Sequence, residues 1–297
     1  MFWVRYYEIS PGSNKYIYIP TEKSRAIGSF IIENLQSKWE KPQYYYHFRK
    51  GGHLAAIKTH LSTEKARTFS IFDLSGYYNQ ITRSKLIRVL KKYVGYEQAQ
   101  EWATQSTLIH KGSRQRVLPL GFVQSVFLAS LVLDNCRLGF VLREISSQKD
   151  MKVSVFVDDI IISSVNKKRV SYYSKKIQEA ARKSNFTFQT KKTFCNVDDI
   201  RVFNLYCSQG INLDFSKDRL DSFRAALIEN LDNKFVVWGL LAYMMKVNPN
   251  TTKSLINSIV QEIGINNSAL LGECYYKYQL NPQLELWAAL RQVCFAS

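Results

Sequence analysis

The sequence predicts an α+β chain in which an antiparallel sheet carries packed helices and the C-terminal part is a helical bundle. Three observations support that expectation. Apolar residues flank Asp158-Asp159 on both sides, in Val153-Ser154-Val155-Phe156 and Ile160-Ile161-Ile162, as two β-strands meeting at a tight turn would place them. Thr68-Phe69-Ser70-Ile71-Phe72-Asp73 has the same β-rich character and stops at Ser75-Gly76. Beyond Asp214, apolar residues recur at helical spacing.

Taken in chain order, Tyr44-Tyr45-Tyr46-His47-Phe48-Arg49-Lys50 interleaves aromatic and basic side chains. That mix suits backbone contacts with base stacking, or equally an aromatic-rich strand and turn. After the strand ending at Asp73, Thr82 reads as the N-cap of a helix through Leu86, Ile87 and Leu90. A helix from Gln124 to Ile145 precedes the Asp158-Asp159 hairpin, and a basic amphipathic helix from Lys167 to Lys183 follows it. Lys168, Arg169, Lys175, Lys176, Arg182 and Lys183 on that helix read as a solvated face rather than a binding surface. Leu220 to Leu231, Val236 to Met245, Leu255 to Ile263 and Leu284 to Val293 predict four C-terminal helices.

Acids inside apolar strands need compensation, because an unpaired carboxylate at low dielectric costs several kcal/mol or changes its pKa. A metal ion is the usual answer. Asp73, Asp158 and Asp159, all at strand ends of a basic chain, could hold two Mg²⁺ ions roughly 3.5 to 4 Å apart for in-line phosphoryl transfer, with Mn²⁺ able to substitute. Nucleotidyl transfer is the chemistry that arrangement serves. A second pair, Asp198-Asp199, repeats the letters of Val157 to Ile160 but lies beside Asn196 and Arg201 and reads as a solvated turn.

Four segments, in order, resemble the palm motifs of reverse transcriptases: Asp73-Leu74-Ser75-Gly76-Tyr77-Tyr78, Leu118-Pro119-Leu120-Gly121-Phe122-Val123-Gln124-Ser125, Phe156-Val157-Asp158-Asp159 and Gln189-Thr190-Lys191-Lys192-Thr193. The resemblance implies a right-hand polymerase fold, with fingers over 1–67, palm over 68–213 and a helical thumb over 214–297. It implies Asp73 and Asp158 as metal ligands, helped by the Leu74 carbonyl, with Asp159 supplying charge or a contact behind the ligands. Tyr78 matches the aromatic that packs beneath the sugar and excludes a 2′-hydroxyl, so dNTPs are the implied substrates. Gly121 and Gln124 would approach template and incoming base. Lys192 would neutralise phosphate charge or protonate pyrophosphate.

The family's usual proline after the motif serine is Val126 here, the polar residue before the motif glycine is Leu120, and the tyrosine of the third motif is Phe156. Of two retron signatures, only Val202 and His60 match. With the 297 residues taken up by fingers, palm and thumb, the expectation is a polymerase without an endonuclease, RNase H or integrase domain, unlike a mobile retroelement polymerase. The chain is most similar to the small bacterial defence-associated reverse transcriptases of the unknown-group and abortive-infection class, with retron enzymes second. That similarity implies an RNA-directed DNA polymerase in antiphage defence, a dedicated noncoding RNA template, a DNA product, and a companion protein or a second copy as candidate partner. Protein-primed or untemplated DNA synthesis and a non-catalytic RNA-binding scaffold are the alternatives.

Composition agrees. In 297 residues, 41 Lys+Arg stand against 24 Asp+Glu, and the net charge of +17 predicts affinity for a polyanion. No apolar run approaches the roughly 20 residues needed to span a bilayer, the longest being Phe235 to Met245, and the N-terminus does not read as a signal peptide. The expectation is a cytoplasmic bacterial protein without a membrane partner. Five scattered cysteines and four dispersed histidines show no metal spacing.

Overall fold

The structure is a computed structural model that describes residues 3–9, 16–109, 115–264 and 268–280. The chain divides into two compact units, Met1–His60 with Arg67–Val197, and Leu61–Ala66 with Asp198–Ser297.

In the first unit, β1 (Trp3–Glu8) and β2 (Tyr16–Pro20) form an antiparallel pair, followed by α1 (Glu22–Gln36) and the short α2 (Gly52–Lys58). β3 (Thr68–Asp73) leads to α3 (Arg83–Val94) and α4 (Tyr96–Ser106), then the small pair β4 (Leu108–Ile109) and β5 (Arg116–Val117). α5 (Ser125–Asp134) and α6 (Arg137–Ser146) precede β6 (Met151–Phe156), β7 (Asp159–Ser164), α7 (Lys167–Lys183) and β8 (Phe194–Val197). β6, β7, β3 and β8 make one four-stranded antiparallel sheet in the order β6-β7-β3-β8.

Local sequence accounts for most of these elements. All six residues of β3 are buried, as befits a central strand covered on both faces. The buried Ser70 is satisfied there, accepting from the Asn196 amide at 3.1 Å and from the Ser174 hydroxyl at 2.7 Å. Thr82 caps α3 as expected, its Oγ1 accepting from the Lys85 amide at 3.3 Å. α7 spans the predicted residues and buries Val170, Tyr173, Ser174, Ile177 and Ala181 at helical spacing, leaving its cations outside. α5 is buried along nearly all of its length, and its Leu128 and Leu131 share one core with Phe72, Leu74, Val155, Ile160 and Ile162.

The single helix expected from Gln124 to Ile145 is two helices, α5 and α6, meeting at 78°. Asn135 closes α5 by donating its side-chain amide to the Leu131 carbonyl at 3.0 Å, and Cys136 is fully extended (φ −120°, ψ 175°). Asp134 is wholly buried at the bend, accepting from Trp39 Nε1 at 2.8 Å and from the Arg143 guanidinium. Gly139 lets α6 start close to the α5 end, since a Cβ there would lie 2.4 Å from the Leu133 carbonyl oxygen. A buried carboxylate with two tertiary partners thus overrides a continuous helical pattern.

The Tyr44-Tyr45-Tyr46 segment turns inward. All three rings are buried, Tyr45 completely, and the Tyr44 carbonyl accepts from the Val155 amide at 2.8 Å along the free edge of β6.

In the second unit, β9 (Asp199–Val202), β10 (Leu205–Ser208) and β11 (Asn212–Phe215) form a three-stranded sheet, order β11-β10-β9. Phe203 and Asn204, both left-handed at φ 55° and 60°, form the two-residue turn between β9 and β10. Asp198 and Asp199 are exposed at the start of this sheet, Asp199 accepting from Tyr206 and Ser208, in keeping with a solvated turn. α8 (Lys217–Glu229), α9 (Lys234–Val247) and α10 (Pro249–Ile263) match three of the expected C-terminal helices. α11 (Ala269–Leu280) was not anticipated, and the expected Leu284 to Val293 helix lies outside the described residues. Among the described residues no single helix is long and apolar enough to cross a membrane.

Candidate active site

Register brings the acids together. β3 and β7 pair antiparallel with Asp73 directly opposite Asp159, and β6 pairs with β7 so that Phe156 faces Asp159. Val157 and Asp158 alone make the turn between them. Like charges directly opposed on neighbouring strands are destabilising, and the pairing concentrates negative charge at one end of the sheet.

The turn is strained. Val157 sits at φ 58°, a left-handed conformation that a β-branched residue rarely adopts and that costs about 1 to 3 kcal/mol. The surroundings hold it there. The Leu74 amide donates to the Asp158 carbonyl at 3.0 Å, tying the end of β3 to the turn. The Gln189 amide donates to the Asp73 carbonyl at 2.8 Å, and the Ser75 amide to the Thr187 carbonyl at 2.9 Å, so the segment after α7 clamps the same strand end. The Val157 amide donates to His47 Nδ1 at 3.1 Å.

Electrostatics follow from this crowding. The Asp159 carboxyl is pushed up to about 7, first by burial and then by the charges of Asp158 and Asp73, with Lys192 pulling the other way. Lys192, on the turn of 3₁₀ helix Thr190–Lys192, places Nζ 3.0 Å from Asp73 Oδ2 and is itself held more firmly protonated by that contact. Tyr78 is half-buried, with its ring 5.6 Å from that of Tyr77, and burial together with Asp158 pushes its hydroxyl up to about 12. Tyr77 is anchored below it, donating to the Ala129 carbonyl at 2.8 Å.

Asp73, Asp158, Asp159, Leu74, Tyr78 and Lys192 are therefore gathered around the end of one sheet. Gly121 and Gln124 lie in other local surroundings. Gly121, at φ +107°, lies against β2, where an added Cβ would meet the Tyr18 carbonyl oxygen at 2.3 Å. Gln124 is buried, donating to Ser106 Oγ at 3.3 Å, and its Oε1 abuts Gly28 without a hydrogen-bond partner. His47 escaped the sequence reading, because nothing in a dispersed histidine signals a partner 110 positions away.

Whether these residues suit a divalent cation can be judged from the structure. Among the described residues no group of three or more His, Cys, Asp and Glu side chains converges as a ready-made metal cage. The donor set nevertheless fits. The candidate ligands are hard carboxylate oxygens, Asp73 already holds a cation in the Lys192 ammonium, and Asp159 is raised first by burial and then by its two acidic neighbours, both of which a bound cation would offset.

Comparison with known proteins places this geometry. The sequence profile of the family described as Reverse transcriptase (RNA-dependent DNA polymerase) matches residues 10–203. No curated protein matches the chain by sequence. Among solved structures, the chain is similar to telomerase from Candida albicans in complex with a fragment of telomeric RNA, at 11% identity and TM-score 0.53, covering 84% of this chain and 47% of that one. It is also similar to the BmCPV RNA-dependent RNA polymerase, at 12% identity and TM-score 0.51, covering 85% and 26%. The foamy viral protease-reverse transcriptase bound to double-stranded DNA matches at 19% identity and TM-score 0.46, covering 77% and 38%. The chain thus spans about half or less of the length of these structures. The likenesses establish the fold as the right-hand polymerase class, a class distinct in itself from any one activity. With the family profile covering well over half of its residues, the chain belongs to the reverse transcriptase (RNA-dependent DNA polymerase) family, whose domains generally use divalent metal ions.

Proposed function

We propose that the chain is an RNA-directed DNA polymerase that joins dNTPs to a primer with two Mg²⁺ ions held by Asp73, Asp158 and Asp159. The observation that carries this is the cross-strand pair Asp73 and Asp159, joined at the sheet end by Asp158 on a strained turn and by the Lys192 ammonium. Residues 1–67, 68–213 and 214–297 are assigned as fingers, palm and thumb.

When bound, the two ions supply an acidified primer 3′-hydroxyl and a stabilised pyrophosphate leaving group. The protein's share is positional. Asp73 and Asp159 are fixed by the β3–β7 ladder, and the Leu74 amide fixes the Asp158 backbone, so little reorganisation remains at the moment of reaction. Lys192 reaches the same carboxylate cluster with three donors and is placed to neutralise phosphate charge or give a proton to pyrophosphate. The Tyr78 ring, braced by Tyr77, is the candidate wall beneath the nucleotide sugar and favours dNTP over rNTP.

The net charge of +17 supports a nucleic-acid partner, and the motif resemblance supports a bacterial antiphage role with a dedicated noncoding RNA as template. Labelled nucleotide incorporation with Mg²⁺, beside an Asp158→Asn/Asp159→Asn variant and with products treated separately by DNase, RNase and protease, tests this. DNA made only by the wild type, and lost when copurified RNA is removed, is the expected result. A product that shifts on protease treatment would replace RNA priming with priming from the protein. Phage protection unchanged in Asp158→Asn cells would replace catalysis with a scaffold role.

A further inference from the structure

The strained turn that carries Asp158 is tethered by a side chain from a distant part of the same unit. His47 Nδ1 lies 3.1 Å from the Val157 amide nitrogen, and its Nε2 lies 2.8 Å from Ser130 Oγ. The directions of these bonds are determined by chemistry. A backbone N–H only donates, so Nδ1 must be an acceptor, and the ring proton of a neutral imidazole then sits on Nε2. Nε2 donates to Ser130 Oγ, which passes its own proton to the Val126 carbonyl at 2.9 Å on α5. One relay of hydrogen bonds therefore runs from the buried helix α5, through a half-buried histidine, to the amide of the one residue in the turn with a left-handed backbone.

Packing fixes the ring. His47 is in edge contact with Phe156, centroids 6.2 Å apart, and lies 4.2 Å from the Phe48 ring and 5.5 Å from Tyr45. Burial holds the imidazole down at about 4, with the nearby Val155 carbonyl opposing without prevailing, so it stays in the neutral form that can accept.

We infer that His47 is a positioning residue: by accepting from Val157, it stabilises the left-handed turn and so sets where Asp158 stands against the ladder-held pair Asp73 and Asp159. The turn has no glycine to adopt φ 58° unaided, and a residue that rarely takes this conformation keeps it only where its surroundings over-determine it. Without the acceptor at Nδ1, Val157 can relax toward an ordinary φ, and that would swing Asp158, the other residue of the turn. The consequence for catalysis rests on the polymerase proposal, whereas the tether does not.

Two near-isosteric substitutions separate tether from packing. His47→Asn keeps a polar oxygen near the Nδ1 position, and His47→Gln keeps one near Nε2 only. In the full chain without metal, amide hydrogen exchange at Val157 should quicken about tenfold or more in His47→Gln and stay close to wild type in His47→Asn. Calorimetric Mn²⁺ binding and kcat should fall about 10- to 100-fold in His47→Gln, with KM for the nucleotide little changed, and should be largely kept in His47→Asn. Wild-type exchange in His47→Gln, or equal losses in both variants that track their melting temperatures, would reduce His47 to core filling. Should neither variant fold, Ser130→Ala loosens the ring from the far side: faster Val157 exchange supports the tether, and unchanged exchange overturns it. A wild type that incorporates no nucleotide would remove the polymerase proposal, and the exchange result would stand on its own.

Discussion

Lys192 Nζ stands 3.0 Å from Asp73 Oδ2, joining the segment after α7 to the end of β3 across 119 positions of sequence. This contact sets a positive charge against an acidic cluster, and the same charge lowers Asp159, so its loss should be felt in two ways. With the lysine about 61% exposed, the stability effect of the ion pair alone is small, at most about 1 kcal/mol.

Lys192→Met should therefore leave folding nearly intact and lower kcat by about 100-fold, within the usual range for a lost proton donor or phosphate partner. In the metal-free chain Asp159 would move further up without its opposing cation. Wild-type kcat in Lys192→Met would remove Lys192 from the site.

Stability against pH has two opposed contributions. Burial holds His60 at about 3 and His47 at about 4, against an ordinary value of 6.5, so between those limits the unfolded chain binds more protons and stability rises with pH. Asp159 has the reverse sign: raised from 3.8 to about 7, it contributes stability that is complete below 3.8 and lost as pH rises through about 7. Two histidines outweigh one carboxyl, and the metal-free chain should gain stability with pH and level off near pH 7. Asp159→Asn should steepen that rise and leave the protein more stable than wild type at pH 8, by on the order of a few kcal/mol. Urea unfolding in EDTA at pH 5, 6.5 and 8 reads the difference directly.

Tyr78 carries the sugar discrimination in the proposed function. Replacing its half-buried ring with Ala should narrow the preference for dNTP over rNTP by roughly 10- to 100-fold in kcat/KM, the scale expected when a pocket wall is removed. Competing incorporation of the two nucleotide classes measures it. An unchanged ratio would make Tyr78 an ordinary core aromatic.

Gly121 faces the Tyr18 carbonyl oxygen at a φ of +107°, and both features forbid a side chain. Gly121→Ala should cost about 3 kcal/mol, combining backbone strain with displacement of β2. The urea midpoint would report that loss, and a midpoint within error of wild type would show that β2 yields easily.

Much of the fold was legible locally. Thr82, the apolar stripe of α7 and the tight turn between β6 and β7 depend on residues a few positions apart, and each formed where its pattern predicted. The α5–α6 break was not legible, because it turns on Asp134 meeting Trp39 and Arg143. The inward turn of the Tyr44 segment depends on pairing with Val155, and the burial of Gln124 on Ser106 and Gly28.

The sequence by itself determined the family and nominated the side chains that the proposed chemistry would use. An acid at the end of a β-rich strand, two more at a hairpin tip and a lysine in a fourth motif resemble the reverse transcriptase motifs by residue type and order, and the family profile matches the segment that holds them. Tertiary structure decided how the acids interact. The β3–β7 register sets Asp73 against Asp159, Lys192 answers one of them, and a histidine 110 positions away grips the strained turn. Periodicity encodes which face of an element is buried, whereas register, mutual charge and tethering arise only when distant segments share a dielectric and compete for the same hydrogen-bond partners.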